Sequence, residues 1–571
     1  MKRTSRIRYR EWQNRSDTFA AYWHHWNDEE ENGEAEPYEG HLQSDEIRTT
    51  SMEPESKSRK QSYVPIFPKV HMIKNFFVII ISLILIWVPS FSQITASIHG
   101  RQSVYNVKEY GAVGNGKILD SPAINRTIEA SVQGGGGTVF FPAGTYLSGS
   151  IHLKSNAHLY LDAGAIILGA PQEMNAYDPP EPFEGKAYQD GGHTYFHNSL
   201  LWGEDLSHVT ISGYGMINGG GLTRRDKGVG EGPIGLGDKA IALKRCSQVT
   251  IQGLTIFHGG HFAIILTGCH NVNIDNVTID TDRDGINLDC CRAVVVSNCR
   301  INAPNDDALC PKSSFALGKR VITEDITITN CQVSGYEEGT LLDGTMKPSK
   351  NRNGRIKFGT ESNGGFRNIT ISNCTFRECR GLALEEVDGG ILENIIVSNL
   401  TMMNIDDYPI YITLGRRNRG PDSLTIGLVR NIIISNVIAT GIDSMSGIHI
   451  TGLPGYPVEN VRLQGLWLSF KGGGTTEQAL RIPPELDKGY PEPRRIGVTP
   501  GYGLFARHVR GLELSDISFN LEREDFRPVM VCVDVNGLEI DNIKAQLAPG
   551  IAPVKFEEVK DLVIRNSPLL K

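Results

Sequence analysis

The chain has few aromatic residues and no excess of positive charge. Aromatic residues make up 8% of its 571 residues, while glycine is frequent at 62 residues. This composition favours many short strands and tight turns over a helical bundle, because glycine supplies the backbone conformations that turns require. The formal net charge of -8 argues against a nucleic-acid partner, which would favour a basic surface.

The chain also lacks an apolar run that would cross a membrane comfortably. Its apolar run near the N-terminus covers residues 76–88, whereas a spanning helix needs about 20 residues. A basic residue precedes the run, and the small residues Ser90 and Ser92 follow it. This order predicts a signal peptide over 72–92, a start at Met72, and a secreted or periplasmic protein with no stable membrane partner. The alternative is a membrane anchor through residues 76–88.

Residues 1–71 are polar and highly charged. Such a segment cannot bury enough apolar surface to fold, so we expect an extension that is disordered or is not genuinely expressed. The main folded unit is predicted to be residues 101–571.

A phrase of alternating apolar and polar residues recurs along this unit. Its closest copies start 22 to 26 residues apart, and such a period, with every strand in one phase, is typical of a β-solenoid. The leucine and helix phases of leucine-rich repeats are absent. The copies start at Val209, Val249, Val272, Val294, Ile326, Ile369, Ile395, Ile432, Val461, Leu512, Leu538 and Leu562.

The fifth position of every copy is Gly, Asn or Asp. These residue types tolerate a left-handed backbone best, so each strand should end in the same sharp bend. The sixth position points inward, where Cys299, Cys331 and Cys374 take the place of aliphatic core residues. A secreted protein invites a disulfide interpretation, but the repeat predicts that these three cysteines are buried thiols.

We therefore predict an all-β fold, a single-stranded right-handed parallel β-helix. A solenoid needs a cap over its first exposed coil. Residues 121–132 have helical spacing, with Ala123, Ile124, Ile128 and Val132 on one side, and are the candidate for a short N-terminal capping helix. No pair of cysteines has zinc-site spacing, and neither a metal nor a cofactor is predicted.

Two neighbouring repeats carry acidic residues at matched positions. Asp284 and Asp306 each lie 12 residues after the start of their repeat, and Asp307 adjoins the second. Equal phase predicts that Asp284 and Asp306 lie one above the other, about 4.8 Å apart, in an open groove on one sheet. Three carboxylates there repel one another, so at least one should keep its proton to higher pH. The alternative is a set of solvated turn residues, because Asp-Gly is itself a turn signal.

A protonated acid beside ionised ones is what glycosidic cleavage requires. One group donates a proton to the leaving oxygen, and another activates water. The acid cluster therefore predicts an enzyme that hydrolyses a polysaccharide.

Two segments resemble the polygalacturonases, family 28 of the glycoside hydrolases. Residues 282–287 resemble the family's Asn-Thr-Asp-Gly motif, and residues 304–314 resemble its Asp-Asp segment, with Lys312 as the lysine of its Lys-Ser pair. The resemblance covers nearly all of residues 103–571. It implies a glycosidase that cleaves pectic polysaccharide, galacturonan or rhamnogalacturonan, without a metal ion.

The resemblance also implies roles for the three acids. Asp306 would be the general acid, while Asp284 and Asp307 would hold the attacking water. A carboxylate separation near 5 Å would by itself suggest retention of the anomeric configuration. The resemblance implies inversion, and we expect inversion because Asp284 and Asp307 can hold one water between them.

The sequence departs from the family's pattern in two places. The family has Gly-His-Gly on the coil after the Asp pair, whereas this chain has Glu338 in that phase. The family's Arg-Ile-Lys motif, which grips the substrate carboxylate, should follow Ile369, where this chain has Glu385 and Glu386. Loss of the histidine and gain of a glutamate resemble the rhamnogalacturonan-cleaving branch.

An Arg-Ile-Lys sequence does occur one coil early, at Arg355 and Lys357. Whether it fills the same space is open at this point. Together with Glu338, Lys312 and His261, these two cations are the candidate substrate-binding residues. The aromatic stretch 188–202, which contains His193 and His197, is a candidate cleft wall.

Two other functions remain open from the sequence. A pectate lyase shares the solenoid and uses calcium, which the acids here could hold. A carbohydrate-binding solenoid without catalysis would tolerate changes at the acids. In each case the expected partner is a polysaccharide.

Overall fold

The computed structural model describes residues 103–183, 188–189, 191–223, 236–421, 425–445, 447–485 and 488–570. The predicted extension 1–71 and signal peptide 72–92 lie outside these ranges. Within them, no helix combines the length and the apolar character that crossing a bilayer demands.

The described chain winds as a right-handed parallel β-helix, as the repeat predicts. Each coil contributes up to three short strands, and equivalent strands of successive coils pair in parallel, which gives three stacks of strands along the axis. We call them the first, second and third sheet, in the order in which one coil passes through them.

The first sheet contains Ile151–His152, Leu201–Glu204, Lys239–Lys244, Phe262–Thr267, Asp284–Asp289, Leu309–Lys312, Lys357–Phe358, Arg380–Glu386, Asp406–Leu414 and Ile448–Thr451. The second sheet contains Val104–Asn106, Gly137–Phe141, Ala157–Leu161, Ser207–Gly213, Ser247–Gln252, His270–Asp275, Arg292–Ser297, Thr323–Thr329 and Gly365–Ser372. The third sheet contains Asn115–Leu119, Gly144–Ser148, Ala165–Gly169, Met216–Asn218, Thr255–Phe257, Thr278–Asp280, Arg300–Asn302, Gln332–Ser334 and Thr375–Arg377.

Longer strands pass through more than one sheet in the later coils. Three single strands each run through both the second and the third sheet: Ile391–Met403, Leu428–Ile442 and Val458–Phe470. The last coils are formed by the strands Leu504–Leu521, Met530–Ala545 and Val554–Arg565. Helices are few and short among the described residues: Ser121–Gln133, Gly191–Thr194, Thr476–Ala479 and Pro493–Ile496, with 3-10 turns at Val107–Tyr110, Gln172–Met174 and Pro568–Leu570.

The twelve repeat starts pair with one another in unbroken register along the second sheet, from Val209 to Leu562. All twelve fifth positions have a positive φ, as their residue types predict. Asparagines at this bend also bond along the axis, for example Asn399 Nδ2 to Asn373 Oδ1 at 3.0 Å. The repeat thus sets both the strand register and the bend between the second and third sheets.

The core fills the interior of the coils with aliphatic side chains, and all ten cysteines are buried free thiols. Cys299, Cys331 and Cys374 lie in this core, as predicted. The helix Ser121–Gln133 buries Ile124 and Ile128 against the first coils. It therefore closes the N-terminal end of the core, which confirms the predicted cap.

Candidate active site

The register of the first sheet brings two of the three acids side by side. Leu309 pairs with Ile286, which places Asp307 next to Asp284, and the backbone N–H of Asp307 donates to Asp284 Oδ1 at 3.2 Å. The expectation that Asp306 stacks on Asp284 is therefore wrong by one residue.

The reason lies in the turn that leads from the third sheet to the first. Three residues, 281–283, precede Asp284, whereas four residues, 303–306, precede Asp307. The additional residue is Asp306, which leaves the strand register and lies at the edge of the sheet.

The three carboxylates nevertheless form one cluster. An oxygen of each lies within 4.8 Å of an oxygen of the other two. Asp284 and Asp307 are buried at 3% and 1% exposure, while the Asp306 side chain is 25% exposed. Asp306 is thus the member of the cluster that solvent or a substrate reaches.

Asp284 holds its proton more firmly than an ordinary aspartic acid. Its burial, followed by the negative charge of Asp306, raises the pKa of Asp284 to about 7. Loss of hydration disfavours the ionised form, and a neighbouring carboxylate disfavours it further. At weakly acidic pH the cluster therefore keeps one proton on its buried side.

Asp307 has the opposite environment. Burial alone would raise its pKa, but the charges of Lys357, Arg355 and Lys312 outweigh burial and hold the pKa of Asp307 well below its usual range. Arg355 Nε donates to Asp307 Oδ1 at 2.8 Å, and Lys357 Nζ lies 3.3 Å from Asp307 Oδ2. Asp307 is therefore an ionised base.

Asp306 forms an ion pair with Arg283, a residue that was not among the predicted site residues. Arg283 Nη2 lies 2.7 Å from Asp306 Oδ2, and each side chain is 25% exposed. Arg283 stands where the resembled motif has threonine, directly before Asp284. The sequence contains a signal for this ion pair, because Arg283 directly precedes Asp284. A cation in the turn before Asp284 lies next to the corresponding turn of the following coil, which contains Asp306.

The Arg-Ile-Lys cations are engaged with protein carboxylates. The exposed fraction of the side chain is 1% for Arg355 and 3% for Lys357. Besides Asp307, Arg355 binds Glu492 at 2.7 Å, and Lys357 lies 4.0 Å from Glu385. Through these contacts Arg355 and Lys357 hold the Asp307 carboxylate in place and balance its charge.

Lys312 belongs to a second charged group beside the cluster. Its Nζ lies 3.1 Å from Glu361 Oε2, and Arg417 lies 3.7 Å from Glu361 Oε1. Burial alone would lower the pKa of Lys312, but Glu361 reverses this effect and raises the pKa well above its usual value. Lys312 thus contributes a permanent positive charge near Asp284.

Glu338 is not in phase with the acids, contrary to expectation. Leu309 bridges to Ile356, so the position after Asp307 on the next coil belongs to Gly354. Residues 335–353 form an insertion before that strand, which shifts Glu338 away from the predicted position. Its carboxylate Oε1 instead lies 3.1 Å from His258 Nδ1.

The upstream side of the cluster is covered by residues 191–199, which we call the upstream segment. Phe196 packs on the outward residues Ala242, Phe262 and Ile265, and His193 Nδ1 lies 3.3 Å from Asp289 Oδ2. His261 precedes Phe262, which pairs with Asp284, so His261 lies one coil above the cluster and is 6% exposed.

The downstream side is covered by a segment that the sequence did not point to, residues 488–499, which we call the downstream segment. Its Tyr490 hydroxyl accepts from Lys357 Nζ at 3.2 Å, and Glu492 Oε2 lies 2.9 Å from Arg380 Nη1. The predicted open groove is therefore wrong along the sheet axis, because segments cover both sides of the cluster. Residue spacing could not reveal this cover, since it does not tell where an insertion folds back.

The cluster thus combines a buried acid with a lowered pKa, a buried acid with a raised pKa and a more exposed acid, with oxygens within 4.8 Å of one another. Such a set can transfer a proton to a leaving oxygen while it activates water.

A family model described as "Rhamnogalacturonase A/epimerase, pectate lyase-like" matches residues 104–337, which contain the cluster. Plasmin and fibronectin-binding protein A of Streptococcus pneumoniae is 37% identical over 30% of this chain and 23% of its own length. A probable polygalacturonase of Vitis vinifera is 28% identical over 36% of this chain and 44% of its own length. The chain therefore spans less than half the length of each of these two curated relatives.

A solved structure with the same fold is that of a family 28 exopolygalacturonase of Yersinia enterocolitica. It superposes with a TM-score of 0.55 at 18% identity, covering 81% of this chain and 78% of that structure. At this identity the likeness concerns the fold.

Proposed function

We propose that this chain, which is related to the polygalacturonases of glycoside hydrolase family 28, hydrolyses glycosidic bonds of a pectic polysaccharide. The observation that carries the proposal is the cluster of Asp284, Asp306 and Asp307, in which the pKa of Asp284 is raised and the pKa of Asp307 is lowered. A pair of acids with opposed pKa values is the arrangement that general acid–base cleavage uses.

In the proposed mechanism Asp306 gives the proton to the leaving oxygen. It is the most exposed of the three acids, and the proton that it passes to the leaving oxygen is given up by Asp284, whose carboxyl group has the raised pKa. Arg283 would move from Asp306 towards the substrate during this step. Asp307 accepts the proton of the attacking water, and Asp284 orients that water.

Arg355 and Lys357 act on the base in this proposal. Because both cations contact Asp307 from buried positions, they keep it ionised in a site from which water is largely excluded. Lys312 and His261, on the coils beside the acids, are proposed to contact the sugar, whereas Glu338 binds His258 and is not included.

The identity of the polysaccharide is tested by supplying homogalacturonan and rhamnogalacturonan side by side to the purified protein. We expect new reducing ends on one of them, with rhamnogalacturonan favoured because the family match names a rhamnogalacturonase. A product that absorbs in the ultraviolet would instead indicate β-elimination. No product from either polymer would overturn the proposal.

A second candidate is a binding protein without catalysis. The streptococcal relative, at 37% identity, is named for plasmin and fibronectin binding. Under this proposal the protein would bind a polymer or protein with unchanged affinity after Asp306→Asn, and it would release no new reducing ends.

Secretion through a signal peptide at 72–92 is part of the primary proposal, because a pectic polymer is met outside the cell. N-terminal sequencing of the exported protein is expected to begin at residue 93.

A further inference from the structure

The outward face of the first sheet is covered on both sides of the acid cluster. In an open groove, the outward side chains of this sheet would be exposed along its whole length. Here Ala383, Tyr411 and His449, on coils after the cluster, are each at most 1% exposed. On coils before the cluster, Ala242, Phe262 and Ile265 are fully buried.

The downstream segment reaches back over several coils to produce this cover. It lies in the chain between the strands Val458–Phe470 and Leu504–Leu521, yet Glu492 binds Arg355 at 2.7 Å and Arg380 at 2.9 Å. Ile496 packs with Ala383, Tyr408 and Tyr411 in a small apolar cluster. These are buried ionic and apolar contacts, which are costly to break.

Tyr490 is the part of the downstream segment that faces the site. Its ring lies 5.4 Å from Lys357 Nζ, 5.9 Å from the Arg417 guanidinium and 5.7 Å from the Arg495 guanidinium. Three cations near one aromatic ring hold it in place through cation–π attraction. Tyr490 therefore forms a firm wall one coil beyond Asp307.

The upstream segment forms the opposite wall. Phe196 covers the outward face before Asp284, and the Phe262 ring meets the His193 ring at 5.1 Å. Phe262 pairs directly with Asp284. The coils of Asp284 and Asp307 lie between these walls, roughly 10 Å at the spacing of paired strands. The side chains of the cluster that solvent reaches there are Arg283 and Asp306, each 25% exposed, at the edge of the sheet.

We propose that this space takes only the end of a polysaccharide chain, so that the protein cleaves from the terminus and not within the polymer. This inference rests on the proposed function. A polymer lying along the sheet axis would have to pass through Phe196 on one side and Tyr490 on the other, whereas a chain end can enter from the exposed side of Asp306. In each turnover the terminal glycosidic bond breaks, the water oxygen bonds to the anomeric carbon, the leaving oxygen gains a proton from the cluster, and Asp307 takes a proton from water.

The test measures product size and viscosity together, with the full chain and the polymer that it cleaves. We expect one short product from the first minutes, while the viscosity falls slowly relative to the number of new reducing ends. An early mixture of many lengths with a rapid loss of viscosity would overturn end cleavage and leave hydrolysis intact. No new reducing ends at all would overturn the proposed function, and this inference with it.

Oligosaccharides blocked at one end provide a second measurement. One set carries a reducing end converted to an alditol, and the other carries a modified non-reducing end. We expect one of the two modifications to lower the cleavage rate at least tenfold, because an unmodified terminal sugar must fit between the two walls. Equal cleavage of both sets would contradict a site that recognises chain ends.

A pair of variants tests the wall itself. Tyr490→Phe keeps the ring between the cations and is expected to keep the single short product. Tyr490→Ala removes the ring and is expected to release longer products as well. The exposed residue Trp467, on the third sheet, is the control, since Trp467→Ala should change nothing. The same single product from Tyr490→Ala would remove Tyr490 from the wall.

Discussion

At the scale of single residues, neighbouring charges give three aspartates different properties. Asp307 contacts Arg355 and Lys357, Asp284 is buried against another acid, and Asp306 pairs with Arg283 at the surface. The same type of side chain therefore has three different environments within a few ångströms, which is the basis of the three roles that we propose.

The proposed donor role of Asp306 leads to the first prediction. Asp306→Asn should lower the hydrolytic rate by about 10² to 10⁴, the usual contribution of a general acid, because an amide has no proton to give. The rate is measured by reducing ends, and folding by thermal unfolding. Asp275→Asn, in a strand of the second sheet, is the matched control and should retain the rate. Wild-type turnover in Asp306→Asn would remove Asp306 from the reaction.

Asp284 predicts a pH-dependent effect on stability. Its pKa is raised to about 7 in the folded protein, above the unfolded value, so the folded state binds more protons between about pH 4 and 7. The free energy of unfolding should therefore fall as the pH rises through this window, by about 1.4 kcal/mol per pH unit for one such group.

Asp284→Asn should remove this dependence. We expect the variant to be more stable than the wild type at pH 8 and close to it at pH 4, as measured by urea unfolding at both pH values. A difference that is equal at the two pH values would show that Asp284 does not titrate in this window.

Lys357 predicts a shift in the pH dependence of the rate. Lys357→Met removes the largest cationic influence on Asp307, so the pKa of Asp307 should rise and the acid limb of kcat/KM should move to higher pH. Lys357→Arg keeps the charge and should keep the limb. An unmoved limb in Lys357→Met would mean that another group sets it.

How far the sequence predicts the site is clear from these residues. Equal spacing selected three acids that do form one cluster, because residues at equal positions in successive coils lie close together in space. It misplaced Asp306 by one residue, because counting from the start of each repeat does not reveal that the turn before Asp307 is one residue longer than the turn before Asp284. It left the contacts of Arg355 and Lys357 open, because their respective partners Glu492 and Tyr490 are more than a hundred residues away in the chain.

At the scale of elements, the bend at the fifth repeat position carries a prediction about stability. Asn399 has φ 58°, donates to Asn373 and accepts from Asn436 at 3.2 Å. Asn399→Ala should lower the free energy of unfolding by about 1–2 kcal/mol through left-handed strain alone. Asn399→Gly loses the same two bonds without the strain, so it should cost less. Equal losses in urea unfolding would assign the effect to the bonds.

Strands and insertions differ in how well their sequence describes them. The strands of the second sheet follow from the repeat, since alternation and the Asn, Gly or Asp bend are local properties of the chain. The upstream and downstream segments have no such period. Their paths depend on contacts such as Phe196 with Phe262 and Ile496 with Tyr411, which form only after the coils exist.

At the scale of the whole molecule, the β-helix places side chains of successive coils at regular intervals along one axis. Phe262, Asp284 and Asp307 occupy successive coils of the first sheet, and distant parts of the chain close this row on either side. The fold supplies the spacing, and the insertions supply the boundaries of the site.

The central claim is that the three acids direct one water onto the anomeric carbon. The measurement that tests it most directly is proton NMR of the first-formed anomer, on whichever polymer is cleaved. An oxygen of each acid lies within 4.8 Å of the others, a short separation that by itself suits retention. We still expect inversion, because Asp307 is held by Arg355 and Lys357 and is placed to activate water. A first product with the inverted configuration is the predicted result, and a product that keeps the configuration of the substrate would contradict the account.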